Sequence, residues 1–347
     1  MSSAASQSRL LKTRSRLAIL FSAVLLGFGF NAGFSGAARA AEAPVNIGVV
    51  QIVDHEALND TVRGIVDGMA ERGWKDGEKA RFDLQNAHGD QSTLKNIGDR
   101  FVSEGSSLIF AVATPAVQSM ARTTKKIPIV GAAVTSYSAA KVVKSDDRPG
   151  GNVTGVSNIG PVAAQLDLLL KLTGGKKRVG SIYNAGEINS VVQMDLLRAA
   201  ARERGVELIE ATVSGVVDIQ QVVQTMKNKV DGFVFPTDNV VVSGMAVILK
   251  TTVPAKLPTV AGDLGSVAAG CTAAMTVDYY KLGRQAADMG ADILEGKRKP
   301  AEMKIETQDV KQPTINVRAA KAIGLAVPED LLARGDPFRR EVIFFEN

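Results

Sequence analysis

Short β-branched runs alternate with amphipathic stretches along almost the whole chain from Val45 onward, and this alternation leaves few folds open. The runs are Val45–Val53, Arg81–Asn86, Leu108–Val112, Ile127–Val134, Arg178–Tyr183, Val206–Thr212, Gly232–Phe235, Thr259–Ala261 and Thr272–Val277. Between them apolar residues recur at helical spacing, as in Val62, Ile65, Val66 and Met69, or Leu166, Leu169 and Leu170. A strand that feeds a helix and then a second strand closes a right-handed unit, so the pattern predicts mainly parallel sheets with helices on both faces. It falls into two similar halves, separated by a polar, Gly-rich turn, Asp146 to Val156, that leads into a short strand. The expected fold class is α/β: two doubly wound parallel-sheet lobes joined by a hinge, with a cleft between the carboxyl ends of both sheets. The N-terminal lobe is placed at 41–145 with a returning segment at about 279–312. The C-terminal lobe is placed at 152–278 with a return at about 313–347, and the hinge crossings near 146–156, 277–281 and 305–316.

The first forty residues read as an address. Arg9, Lys12, Arg14 and Arg16 precede a run of mostly apolar residues from Leu17 to Phe30, and Ala38-Arg39-Ala40 follows. That is the order of a cleaved secretory signal, so residues 1–40 are expected to direct export to a periplasm. An uncleaved anchor fits less well, because a span prefers about 20 strongly apolar residues and the second half here is rich in Gly and Asn. The chain carries 41 Lys and Arg against 36 Asp and Glu. Five of those bases lie in the leader, which has no acid, so the remainder is balanced and offers nucleic acid no general attraction. One cysteine, Cys271, and two histidines, His55 and His88, cannot make an intrachain disulfide or by themselves fill a zinc site. No metal or cofactor is expected.

No phosphate-binding loop, dinucleotide fingerprint, serine-hydrolase elbow or zinc-protease motif occurs. Open α/β sheets bind ligands outside the carboxyl ends of their strands. Those ends hold Gln51, Asp54 and His55; Thr114-Pro115; Thr135-Ser136-Tyr137; Asn184 to Ser190; Thr237-Asp238-Asn239; and Asp263. The set is rich in hydroxyls, amides and carboxylates and poor in Lys and Arg, which suits a small polar molecule rather than a phosphate. Thr114 before Pro115 has the form of a helix N-cap, whose free N–H groups favour a carboxylate. Thr135-Ser136 repeats the pattern at the next strand end. Asp238 and Asp263 would hold an ammonium group, serve only as caps, or act as a general acid and base. Tyr137 and Tyr183 are either an aromatic wall or packing. Gln51, Asn184, Ser190 and Asn239 would orient the ligand or bridge the lobes. His55 is either a base or a helix-start residue, and His88 a solvated loop residue.

Several ordered stretches also look familiar: Asn86-Ala87-His88-Gly89-Asp90, Ala113-Thr114-Pro115-Ala116, Pro149-Gly150-Gly151-Asn152-Val153-Thr154-Gly155-Val156, Pro236-Thr237-Asp238-Asn239, and Val277-Asp278-Tyr279-Tyr280-Lys281-Leu282-Gly283-Arg284-Gln285. They resemble the substrate-binding proteins of ABC transporters of the tryptophan/tyrosine type. The resemblance implies a type I periplasmic-binding-protein fold with three crossovers. It also implies delivery of a small solute, an aromatic amino acid ahead of others, to an ABC permease and its ATPase. Ser136 stands where such proteins often carry Asp, and His55-Glu56 where they often have His-Pro. The expectation is a monomeric binding protein and no enzyme. The alternatives are a ligand-presenting subunit of a periplasmic sensor and an exported two-lobe hydrolase using Asp238 and Asp263.

Overall fold

The structure, a computed structural model, describes residues 43–310 and 313–332. The expected leader and the chain beyond 332 lie outside the described residues. Strands β1 (Val45–Gln51), β2 (Ala80–Asn86), β3 (Leu108–Val112), β4 (Ile129–Val134) and β5 (Val153–Ser157) form one parallel sheet in the order β2-β1-β3-β4-β5. Helices α1 (Glu56–Glu71), α2 (Gln91–Ser103) and α3 (Thr114–Thr123) connect its first four strands. β3 and β4 are buried along their whole length, as strands covered by helices on both faces must be.

After β5 the chain runs through α4 (Val162–Leu172), β6 (Arg178–Tyr183), α5 (Ile188–Arg204), β7 (Glu207–Thr212), α6 (Val216–Met226) and β8 (Gly232–Val234). It continues through α7 (Asn239–Ser243), α8 (Met245–Thr252), β9 (Thr259–Ala261), α9 (Leu264–Ala269) and β10 (Ala273–Ala274). Helix α10 (Tyr279–Leu294), a 3-10 turn at Pro300–Glu302, β11 (Thr314–Ile315), α11 (Val317–Ala322) and α12 (Glu329–Leu332) complete it. The second sheet runs β11-β10-β9-β8-β6-β7, parallel except that β11 pairs antiparallel with β10. Both lobes belong to one compact unit. No helix among the described residues is long and apolar enough to cross a membrane.

The polar turn at 146–156 is not where the chain leaves the first lobe. Val153–Ser157 pairs with β4 and extends the first sheet, so the second-lobe boundary expected at residue 152 moves past Ser157. The reason is a close approach that only glycine allows. Gly155 has φ +149, and a Cβ there would strike the backbone of Gly131 and the Tyr137 hydroxyl. Helix α10 packs against α1, and its Leu282 and Ala286 join Ile65 and Met69 in the first-lobe core. Met303 and Ile305 enter that core, Glu306 bridges to Val156, and Ile315 joins the core of the second lobe.

Candidate functional site

The carboxyl ends of the two sheets face one narrow cleft with a cavity volume of about 20 Å³. From the first lobe it is lined by His55, Leu58, Ala113, Thr114, Ala133 and Thr135. From the second it is lined by Asn189, Thr237, Asp238, Asn239, Val242 and Asp263, and at the crossings by Asn158 and Tyr279. No lysine or arginine is among them.

The first-lobe wall departs in detail from the expected caps. The cap of α3 is Ala113, at φ +79 and ψ 155, and it offers no side-chain hydrogen bond. Thr114 is therefore already inside the first turn, and Pro115, one residue further, does not line the cleft. The Thr114 hydroxyl accepts from the N–H of Thr135 at 3.4 Å, which ties two neighbouring strand ends together. Ala133 is a second non-glycine residue at positive φ, +56, beside the register shift in β4. Backbone held in sparsely populated regions costs on the order of 1–3 kcal/mol per residue and gathers at functional sites. Here both positions are alanines, so the strained backbone faces the cleft without bulk. No helix follows Thr135-Ser136. The Ser136 hydroxyl instead accepts from Ala139 N–H at 3.2 Å within a turn.

On the second-lobe wall the two aspartates are both caps. Asp238 heads α7: Oδ1 accepts from Val241 N–H at 2.9 Å, and Oδ2 from Asn184 N–H at 2.6 Å and the Ser190 hydroxyl at 2.7 Å. Burial pushes its carboxyl above the usual range against these donors. Asp263 heads α9 and accepts from the N–H and hydroxyl of Ser266, each at 2.7 Å. Asn189 is buried, and its Nδ2 donates to Glu187 and to the Thr237 carbonyl while its Oδ1 has no partner. A buried acceptor left unpaired costs about 1–3 kcal/mol, so this oxygen favours a donor. Glu187 also accepts from the N–H and side-chain amide of Asn239.

Burial first, and then the Asp238 carboxylate, push Glu187 up to about 7. Its folded-state value lies above the unfolded one near 4.5, so the native state keeps a proton that the unfolded chain has released. Stability therefore falls as pH rises from about 4.5 to about 7, and Glu187→Gln is expected to flatten that slope in melting temperatures taken across the window. An unchanged slope would place the titration elsewhere. Asp238, raised by the same burial, contributes a residual slope of the same sign.

Of the remaining candidates, all but His55 lie away from the cleft. Asn59 of α1 bridges Gln51 and Asp54, donating to Asp54 at 2.7 Å and accepting from Gln51 at 3.0 Å, beside a separate groove on the β2 side. Asn184 and Ser190 serve Asp238 and do not line the cleft. Tyr137 is no aromatic wall: it is fully buried over Gly131 and Gly155, its hydroxyl donating to the Val156 carbonyl at 3.2 Å. Tyr183 sits under Arg198. The aromatic ring in the cleft is Tyr279, whose hydroxyl accepts from Asn158 at 3.0 Å. His55 is the helix-start residue, its Nδ1 accepting from Leu58 N–H at 3.5 Å. Burial holds its imidazole below the ordinary value, opposed by Asp263 across the cleft. Asn158, Asn189 and Tyr279 were legible only in part. Asn158 follows a strand end, and Asn189 and Gln193 repeat at i, i+4 as polar positions at the start of a helix.

Residues 46–338 match the family described as ABC transporter substrate binding protein. The chain belongs to that family. This binding protein is 36% identical over 280 residues to a tyrosine-binding protein of Clostridioides difficile (strain R20291), covering 81% of each. A Streptococcus pneumonia ABC domain in complex with L-Trp superposes with a TM-score of 0.80 at 33% identity, covering 84% of this chain and 98% of that one. A ligand-free, open substrate-binding protein from Clostridium difficile, with adhesive properties, gives 0.65 at 35% identity, covering 82% and 97%. Across the cleft, Gln193 of α5 donates to the Thr135 hydroxyl at 3.4 Å. The fold is that of type I periplasmic binding proteins, and the family binds solutes rather than transforming them. A hydrolase built on Asp238 and Asp263 is thereby set aside.

Proposed function

We propose that this binding protein is the exported, periplasmic component of an ABC importer and holds an α-amino acid, aromatic first, in the cleft between its lobes. The supporting observation is the polarity of the two walls. One wall presents the start of α3, without a side-chain cap, and the Thr114 hydroxyl, which suit a carboxylate. The other presents Asp238, Asp263 and the unpartnered Asn189 oxygen, which suit an ammonium. A zwitterion satisfies both at once. The apolar edges of Leu58 and Val242 and the ring of Tyr279 are left for its side chain. The named ligands of the two relatives, tyrosine and tryptophan, point the same way.

Binding across two lobes favours the closed arrangement only by the ligand's greater affinity for it. A ligand at a hundred times its dissociation constant adds about 2.7 kcal/mol of stability. Purified from the periplasm, the protein is expected to have the mass of residues 41–347 and to release an amino acid on denaturation. L-Tyrosine or L-tryptophan should raise the melting temperature by roughly 5 °C, and the deaminated analogues by almost nothing. If none of the twenty amino acids shifts it at millimolar concentration, the amino-acid assignment is wrong.

A further inference from the structure

The two lobes meet where α1 and α9 begin. A Cβ built on Gly265 would lie 3.0 Å from the Cβ of Glu56 and 3.5 Å from its Oε2, and Glu56 belongs to the other lobe. Carbon atoms at rest sit roughly 3.5–4.0 Å apart. The conflict with Glu56 Cβ involves an atom fixed by the backbone of α1, so no change of rotamer relieves it. Nor does backbone conformation call for glycine, since Gly265 is not among the glycines at positive φ. It is the second residue of a helix, where alanine has the higher propensity. The feature that glycine serves here is the approach of the opposite lobe.

We propose that Gly265 sets how far the lobes close and so determines ligand affinity without touching the ligand. This rests on the reading of the cleft as the solute site. A side chain at 265 meets Glu56 only in the closed arrangement. The other near contact, its own cap Asp263 at 3.3 Å, is internal to the second lobe, is present in either arrangement and cancels between them. Alanine demands a few tenths of an ångström of separation. Leucine demands a full atom more, which the hinge transmits to the cleft as a gap between Asp263 and the His55 side.

The expected result separates affinity from folding. Gly265→Leu should weaken L-tyrosine and L-tryptophan roughly five- to a hundredfold, the range that overpacking produces. The loss should fall mainly in the dissociation rate, because the first encounter is with the open form. The melting temperature of ligand-free Gly265→Leu and Gly265→Ala should be unchanged or higher, since both residues favour the helix and restrict the unfolded chain. A second variant reads the seam without any ligand. In Glu56→Cys/Gly265→Cys the two Cβ atoms, 3.0 Å apart, are closer than the roughly 3.5–4.5 Å that disulfides adopt, so a small opening admits the bond. The native Cys271 is buried and does not compete. Mild oxidation should cross-link the lobes, faster with L-tyrosine or L-tryptophan present. No cross-link under any condition overturns the seam, and a Gly265→Leu protein that binds like the wild type overturns its role in affinity. A cross-link in a protein that binds no amino acid upholds the seam and overturns the solute reading instead.

Discussion

Gly283→Val is expected to destabilise the protein by roughly 3 kcal/mol or more, at the upper end for overpacking. Helices α1 and α10 cross through glycine. A Cβ on Gly283 would run into the Thr61 carbonyl and come within 2.9 Å of Ile65 N, and one on Gly64 would run into the Tyr280 carbonyl. One turn further along the seam, a Cβ on Gly68 would lie 2.5 Å from the Ala287 methyl. Neither Gly64 nor Gly283 has positive φ, so close helix–helix approach is the reason for both. Valine at 283 meets backbone on the facing helix, which cannot swing away as a side chain would. The helices must part, and Leu282, Ala286, Ile65 and Met69 lose their packing together. The melting temperature should fall by about 6–12 °C, or the protein should fail to accumulate in soluble form. A fall of less than about 2 °C would show that the seam yields more easily than its geometry implies. The effect reaches the cleft too, because α10 begins at Tyr279, which lines it.

This seam marks the limit of what the linear pattern conveys. Strands at Leu108–Val112, Arg178–Tyr183 and Thr259–Ala261 appear at their expected bounds, because β-branched runs and helical spacing are local signals. Pairing partners are not local. The place of β5 beside β4 depends on a backbone contact between Gly131 and Gly155, and the antiparallel β11 is two residues long. The same division holds in the cleft. The rule of strand ends finds Thr114, Thr135, Asp238, Asn239 and Asp263 because it depends only on sheet direction. It cannot tell which side of its loop a residue faces, so Gln51, Asp54, Asn184 and Tyr137 turn out to serve turns, caps or core. Asn158 and Tyr279 line the cleft only because the chain crosses between the lobes twice near them.

Asp263→Asn and Asp238→Asn should behave differently, although both residues cap helices. In Asp263→Asn the amide oxygen keeps the Ser266 N–H, and the Ser266 hydroxyl turns to accept from the new amide nitrogen. Asn and Asp rank alike as caps, so the ligand-free melting temperature should hardly move. On the proposed reading the missing charge is felt by the ligand. A hydrogen bond to a charged partner contributes about 1.5–3 kcal/mol, so affinity for L-tyrosine or L-tryptophan should fall roughly tenfold to more than a hundredfold. Asp238 has no such freedom. Its Oδ1 faces the N–H of Val241 and its Oδ2 the N–H of Asn184, so an amide nitrogen in either position points a donor at a donor. One buried N–H is then stranded at about 1–3 kcal/mol, and Asp238→Asn should lower stability and affinity together. Titration calorimetry and thermal melts of the two variants measure both quantities. Wild-type affinity in Asp263→Asn would remove that carboxylate from the ammonium site. The unpartnered Asn189 oxygen and the already committed Asp238 would then be among the acceptors left on that wall, and an ammonium on Asp238 would have to share a carboxylate that three donors already hold.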